Sequence, residues 1–408
     1  MSRAEGGNLD PEDHRWIDRD DLLVALVDEL GPEPELAIDT EFHRERTFWP
    51  EVSVVQIGWP GGIALIDALA IDIGALAALL GPERTITMHA AAQDLEVLQH
   101  RCGTPPAVLF DTQVAAGFVG YGTPSLASLL QGELGVALPK GDRLTDWLRR
   151  PLGRDARVYA AGDVAHLLPL AARLRERLEA RGRLGWATDE CETLRRRSIA
   201  ARAPDEAWWR VKEARSLRGA AVGVAQAVAA WRERRAAEID QPIRFVLPDL
   251  ALVGIAQKPP SDAEGLRRVR GLDDRHLRRD AVPSLLAAIA EGQALPKEAH
   301  RLPPAGEIDR ELRPAVTLVS AWVSQLARDQ AIDTSILATR GDLEALIRGE
   351  PDARLAHGWR AEAVGDAIRA LVGGDAALAF GGPNTLVLEE RSRVNYIGKA
   401  GEGPEGSP

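Results

Sequence analysis

The sequence predicts an α/β domain built on a mixed sheet, followed by two small all-α helical bundles. Three features lead there. Between Trp16 and about residue 180, short apolar runs that read as strands alternate with helical patterns, as in an α/β sheet. The first three strand signals follow one another directly, at 35–42, 52–59 and 63–66, with the turn Pro60-Gly61-Gly62 between the last two, so the sheet starts antiparallel and then turns mixed. After Ala203-Pro204 the strand signal disappears, and two helical stretches are separated by a Pro-rich polar linker. The expected boundaries are a disordered start at 1–15, the α/β domain at 16–203, a helical domain at 204–292, a linker at 293–314, a second helical domain at 315–380 and a flexible tail at 381–408.

Element by element, Asp20 or Asp21 caps an amphipathic helix through Leu30 that Gly31-Pro32 stops. After the three strands come a helix at 71–80, a strand at 85–89, a helix at 93–100 and a strand at 108–110. Helices follow at 126–130 and 142–148, then a long one at 155–180 in which Gly162 and Pro169 are points of weakness; close packing or substrate approach would explain Gly162. In the helical region, 208–214, 220–239 and 248–255 read as helices, and Ser261-Asp262-Ala263-Glu264 as a capping box for the next. From Gly373 the periodicity is lost.

Composition narrows the setting. Two cysteines among 408 residues, Cys102 and Cys191, are too few for a disulfide scaffold and too far apart for a metal knuckle, which suits a reducing compartment. With no leader pattern and no apolar run long enough to cross a bilayer, a cytoplasmic protein without membrane association is expected. The net charge of −11 is uneven: residues 208–290 carry 15 basic against 10 acidic residues, whereas 1–203 carry 22 against 31. Only the middle segment is basic.

The chemistry starts at E-L-A-I-D-T-E-F, 35–42, where period-two alternation sends Asp39 and Glu41 to the same side. Two carboxylates so placed repel each other by a few kcal/mol at an effective dielectric of about 20, so they hold a cation, pair with an Arg or share a proton, with a divalent metal as the specific reading, or they simply face water. Tyr159 and Asp163, four residues apart in Y-A-A-G-D, share a helix face and can serve one site, or be an ordinary half-buried Tyr beside an exposed Asp. Asp94, in H-A-A-A-Q-D-L, sits where a strand gives way to a helix and reads equally as an N-terminal helix acid or a functional one. Lys140, Arg143, Arg149 and Arg150 around Trp147 could hold phosphates, with the Trp stacking a base or packing in the core. His89, His100 and His166 lack metal-ligand spacing, and His166 reads as a surface histidine or a neighbour of Asp163.

Taken in order, D-T-E, H-A-A-A-Q-D-L and Y-x-x-x-D resemble the DEDD superfamily of 3′ to 5′ exonucleases in its tyrosine branch, and within it the ribonuclease D family. The runs D-T-E-F-H-R-E-R-T-F-W-P-E-V-S-V-V-Q-I (39–57), F-D-T-Q-V-A-A (110–116) and T-D-W-L-R-R-P-L (145–152) follow that family's pattern. W-R-E-R-R-A-A-E-I-D-Q-P-I-R-F-V-L-P-D from Trp231 resembles the helicase and ribonuclease D C-terminal (HRDC) domain, and 315–380 a second, more divergent copy. The resemblance implies a ribonuclease H-like fold and a metal-dependent exoribonuclease acting on structured RNA such as tRNA precursors and releasing nucleoside 5′-monophosphates. It implies two divalent ions, Mg²⁺ or Mn²⁺, with Asp39 bridging both, Glu41 and Asp163 completing one, and Asp94 holding the other partly through water. Tyr159, a phenol that ordinarily titrates near pH 10, orients the attacking water. Arg267, Arg268, Arg270, Arg275, Arg278 and Arg279 are a phosphate-facing patch or a solvated face. A helix opening at Gly271-Leu272 would offer its N-terminus to phosphate, were Asp273 and Asp274 not there. Two alternatives stand beside this reading, a 3′ to 5′ DNA exonuclease and a non-catalytic RNA-binding scaffold of the same fold.

Overall fold

The structure, a computed structural model, describes residues 9–138, 145–200, 203–278, 280–303 and 311–391. The chain divides into two compact units, one of Met1–Ala115 with Ser125–Gly306, the other of Ala116–Pro124 with Glu307–Pro408.

The first unit is built on a six-stranded sheet. Its strands are β1 (His14–Ile17), β2 (Glu35–His43), β3 (Glu51–Trp59), β4 (Gly62–Asp67), β5 (Thr85–Met88) and β6 (Val108–Asp111), in the order β1-β4-β3-β2-β5-β6. β2, β3 and β4 pair antiparallel; β1 runs parallel to β4, and β5 and β6 extend the sheet parallel to β2. The mixed sheet is therefore as expected, with one strand more: β1 begins inside the stretch expected to be disordered, whose residues 1–8 lie outside the described residues. Four residues were too short to show a period.

Helices α1 (Asp20–Leu30), α2 (Ala92–Cys102), α3 (Thr112–Gly117), α4 (Leu126–Leu134), α5 (Arg154–Ala165), α6 (Leu167–Glu179) and α7 (Leu184–Ile199) complete the α/β part. The expected helix at 71–80 is a 3₁₀ turn, Ile73–Leu79, opened by Asp72 accepting from the Gly74 N–H. The long helix expected at 155–180 is two helices joined at His166 (φ −118°). Pro169 explains the break, since it has no N–H for the Ala165 carbonyl and its ring crowds that carbonyl. Residues 145–148, expected to be helical, form an extended-and-turn segment, and 142–144 lie outside the described residues.

The first helical module comprises α8 (Ala220–Glu238), α9 (Ile243–Val246), α10 (Asp249–Gln257), α11 (Ala263–Arg267) and α12 (Ala281–Ala294), preceded by 3₁₀ turns at Pro204–Arg210 and Lys212–Ser216 where one helix was expected. α8 and α12 cross at glycines: a Cβ on Gly223 would stand 2.5 Å from the Gly292 carbonyl oxygen, and one on Gly292 2.5 Å from Val224 Cα. α11 is capped by Asp262 rather than by Ser261. No helix opens at Gly271; residues 271–278 make turns and irregular chain.

The second unit holds α13 (Arg313–Gln330), α14 (Thr334–Leu337), α15 (Arg340–Ile347), α16 (Gly358–Arg360) and α17 (Asp366–Gly373), then a hairpin of β7 (Ala376–Gly382) and β8 (Thr385–Glu390). Phe118 meets Trp359 edge-on in its core at 5.2 Å. The hairpin corrects the expectation of an all-helical domain ending in a flexible tail from 381. G-G-P-N at 381–384 reads as a chain breaker but here makes the hairpin turn. Residues 304–310 of the expected linker and 392–408 of the tail lie outside the described residues.

One buried cation ties α1 to the sheet. Arg84, only 3 % exposed and just before β5, donates to the carbonyls of Glu33 (2.7 Å), Leu79 (3.0 Å), Leu30 (3.3 Å) and Gly31 (2.7 Å). These are the loose carbonyls at the end of α1 and of the 3₁₀ turn, which have no helical partners. Arg84→Met keeps the stem but takes the donor from the carbonyls of Glu33, Leu79 and Gly31, while Leu30 still accepts from the Glu33 N–H, at roughly 1–3 kcal/mol for each one that water cannot reach. Thermal melting of the variant should therefore show a drop of several degrees at least in the unfolding of this unit, and an unchanged melt would show that the carbonyls are satisfied without Arg84.

Candidate active site

Two backbone elements bring the acids together. β2 pairs with β3 in a register that sets Asp39 opposite Gln56 and Glu41 opposite Val54, with a bulge just after Glu41. α5 crosses this face of the sheet at Gly58, where an added Cβ would lie 3.0 Å from the Val164 carbonyl oxygen and 3.3 Å from Val164 Cβ. That contact leaves no room for a side chain, and it lowers Asp163, the neighbour of Val164, onto the strand. Among the described residues the glycine that permits close approach is thus Gly58; a Cβ on Gly162 would meet nothing nearer than Leu138 Cδ2 at 3.8 Å.

Asp39, Glu41 and Asp163 each offer a carboxylate oxygen, and these oxygens all lie within 4.8 Å of one another. Asp94, 7 % exposed in the first turn of α2, is not in this trio, but its charge acts on both Asp39 and Glu41. It is fixed from two directions. Thr40, alternating to the other side of β2, donates its hydroxyl to Asp94 Oδ1 at 2.5 Å. The turn leading into α2 is held by Asp111, fully buried at the end of β6, which accepts from the N–H groups of Ala90, Ala91, Gln113 and Val114. Ala90 has φ +58°, so this turn needs such an anchor. Tyr159 projects from the same face of α5 as Asp163, one turn earlier, and its ring centroid is 6.2 Å from that of Trp147.

Neither Thr40 nor Asp111 was singled out from sequence. Thr40 faces away from its acidic neighbours by strand alternation, and Asp111 was visible only as part of F-D-T-Q. Gln56 was missed too; it is fully buried opposite Asp39, and its amide has no hydrogen-bond partner among the described residues.

The electrostatics follow from burial. Burial and then the charges of Asp94, Asp163 and Glu41 push Asp39 well above the usual carboxylate range. Burial, with Asp163 and Asp94, raises Glu41 to about 8. Asp163 rises to about 7 through burial, and Asp94 to about 6, with the Thr40 hydrogen bond holding it down. No arginine or lysine pairs with any of the four among the described residues. Clustered, partly buried oxygen donors of this kind fit a hard divalent cation, and the absence of nitrogen or sulfur ligands argues against zinc.

The basic residues fare differently. Arg150 is committed within the protein, donating to both Asp67 oxygens (2.8 and 2.7 Å), to Ser53 and to the Trp147 carbonyl, so its guanidinium is structural and not a phosphate holder. Arg149 is exposed. Arg267, Arg270 and Arg278 are exposed, whereas Arg268 pairs with Glu264 and Arg275 with Asp273. Lys140, Arg143 and Arg279 lie outside the described residues. His166 is buried at the α5–α6 junction, not on the surface, and burial lowers its pKa.

Similarity to known proteins agrees with this geometry. The 3′-5′ exonuclease domain family matches residues 14–179, and the HRDC domain family matches 222–289. Ribonuclease D of Acidiphilium cryptum is 36 % identical over 382 residues, covering 91 % of this chain and 96 % of the relative. Ribonuclease D of Escherichia coli is 33 % identical over 370 residues, covering 88 % and 98 %. The crystal structure of Escherichia coli RNase D, described as an exoribonuclease involved in structured RNA processing, superimposes with a TM-score of 0.78 at 32 % identity, covering 89 % of this chain and 99 % of that one. The sheet domain and the helical module both correspond to one family: this chain belongs to the ribonuclease D family of 3′-5′ exonucleases.

Proposed function

We propose that the protein is a metal-dependent exoribonuclease that removes nucleoside 5′-monophosphates one at a time from the 3′ ends of structured RNA such as tRNA precursors. The observation that carries this reading is the group of three carboxylates whose oxygens lie within 4.8 Å of one another, with Asp94 tied beside them by Thr40. The RNA class rests on the similarity to Escherichia coli RNase D, whose role is in structured RNA processing.

Asp39, Glu41 and Asp163 would hold one divalent ion, Mg²⁺ or Mn²⁺, with Asp39 shared to a second that Asp94 helps to hold. Bound there, such ions supply a water nucleophilic at neutral pH and neutralise charge on the leaving oxygen. The side chains do the rest. Thr40 keeps one Asp94 oxygen engaged, so the other is left for the site. Tyr159, exposed midway along α5, orients the attacking water through its hydroxyl. Without cations the pocket is acidic and repels the phosphate backbone, so metal governs both binding and cleavage. The test is a time course on 3′-extended RNA and matched DNA with Mg²⁺, Mn²⁺ or a chelator: loss of mononucleotides from RNA with metal is expected, and equal degradation of DNA would demote the RNA assignment.

Asp39→Asn keeps the size of the side chain and removes its charge, and should lower turnover by about three orders of magnitude with the fold intact. Near-normal cleavage by this variant would sink the metal assignment. Tyr159→Phe deletes a single oxygen, for an expected loss of about 10- to 1000-fold in rate. The Mg²⁺ concentration giving half-maximal activity should hardly move; a large rise would make Tyr159 part of the metal site instead.

The raised pKa values also predict how stability depends on pH. Between the ordinary carboxylate range and about pH 8, the folded metal-free protein holds protons that the unfolded chain has released, so its stability falls as pH rises through that window. In chelator, the melting temperature should fall from pH 5 to pH 8, and Glu41→Gln should remove part of the slope. Mg²⁺ should raise the melting temperature more at pH 8 than at pH 5. Equal Mg²⁺ stabilisation at both would show that the ion does not bind these carboxylates.

A further inference from the structure

A second concavity lies in the first unit, between the segment following β2 and the first helical module. Its volume is about 1010 Å³, at the upper end of the roughly 300–1,000 Å³ typical of sites for organic ligands. Phe48 and Trp49 form one wall, Trp49 stacked on His100 with ring centroids 4.4 Å apart and planes 8° from parallel. Arg44, Arg210, Arg232, Arg234 and Arg244 also line it.

Charge is left over in this lining, which carries five arginines against the four acids Glu45, Glu96, Glu233 and Asp249. Arg44 pairs with Glu96 at 2.5 Å, Arg210 with Glu233, and Arg232 with Asp249 at 2.6 Å. Arg234 and Arg244 are exposed and make no ion pair among the described residues. The Nε groups of Arg44 and Arg232 are buried with no acceptor, although Arg232 is only 3 % exposed. Guanidinium donors in excess of their acceptors, set beside flat rings, match the two halves of a nucleotide: phosphate oxygens accept from arginine, and a base stacks on an aromatic face.

The position fits a strand more than a free nucleotide. Arg44 follows Glu41 by three residues, which at about 3.3 Å per residue puts the two backbones within about 10 Å. A stacked strand advances about 3.4 Å per nucleotide, so a nucleotide seated at the Arg44 end of this cavity would be only about three positions from a 3′ end held at the acids. We propose that the cavity binds a nucleotide of the RNA strand a few positions upstream of the cleaved end, its phosphate on the arginines and its base against the Phe48–Trp49 wall. The proposal rests on the exonuclease reading of the acids for the direction of the strand.

The experiment uses the full chain in chelator, with a short single-stranded oligoribonucleotide carrying thiouridine near its 3′ end, and thiouridine 5′-monophosphate as the second probe. After irradiation, peptides are identified by mass spectrometry, and affinity is measured across a salt series. Removing Arg232 would strip the Leu247 carbonyl and Asp249 of their partner, so the variant is the exposed pair Arg234→Glu with Arg244→Glu. The oligonucleotide should cross-link to residues of the 44–49 segment. The double variant should lose that adduct, weaken binding at least about tenfold and flatten the salt dependence by about two phosphate contacts. Cross-links confined to other surfaces, or unchanged affinity in the double variant, would overturn the proposal. So would labelling by the mononucleotide that the oligonucleotide fails to compete away, which would make this a site for free nucleotides. If the cavity is labelled but the wild-type protein with Mg²⁺ degrades no RNA, the cavity binds nucleotides and it is the exonuclease reading that fails.

Discussion

Four carboxyl groups are gathered at the end of one strand, where water is scarce and no arginine or lysine pairs with them among the described residues. Everything that positions them works against their mutual repulsion. At an effective dielectric of about 20, two charges 4 Å apart repel by about 4 kcal/mol. A fold of ordinary stability can hold such a cluster only with its protons retained or with cations supplied from outside. The raised pKa values express the first option, and a bound cation would supply the second, so the same electrostatic load that weakens the metal-free protein would favour an ion at this site.

The devices that hold this load lie in the backbone, at positions without titratable chemistry. Gly58 lets α5 come down until the Val164 carbonyl would touch a Cβ, and so fixes the height of Asp163 over β2. Asp111 spends its two oxygens on four backbone N–H groups, two in the turn with a positive φ at Ala90 and two in the first turn of α3, so it acts as a structural acid behind the cluster. Thr40 turns to the far side of β2 and still reaches Asp94. Replacing an acid would remove chemistry; altering one of these would leave the chemistry in place and misplace it, and small misplacements are costly in catalysis.

This division also explains what could be read from the sequence. The pairs Asp39–Glu41 and Tyr159–Asp163 were legible because a strand's period and a helix's i,i+4 spacing fix which side chains share a face before any tertiary contact is known, whereas the joining of the two pairs with Asp94 came from the resemblance to a family. The mixed sheet was legible because adjacent strand signals and strand–helix alternation are local patterns. What was not legible depends on contacts across long separations: Arg84 reaching back to the end of α1, Arg150 turning inward to Asp67, His166 buried where Pro169 breaks the helix. In sequence these are an arginine before a strand, an arginine beside a Trp and a histidine three residues past an acid. The β7–β8 hairpin was hidden differently, because its Gly-Gly-Pro-Asn turn carries the composition of a chain terminus.

The helical module is joined to the segment between β2 and β3 more directly than a tethered domain would be. Asp240, just past α8, accepts from the backbone N–H groups of Phe48 (3.1 Å) and Trp49 (3.0 Å), and the Trp49 indole donates to the Ala237 carbonyl at 3.3 Å. Phe48 packs against the module's own core. Asp240 does this at φ +47°, a conformation that costs a non-glycine residue about 1–2 kcal/mol and that two charge-assisted hydrogen bonds offset. The segment so held runs from the end of β2 into β3, the two strands whose register sets Asp39 and Glu41. The position of the acids is thereby linked to the seating of the helical module, through a short stretch of backbone whose donors are satisfied from the other side of the interface.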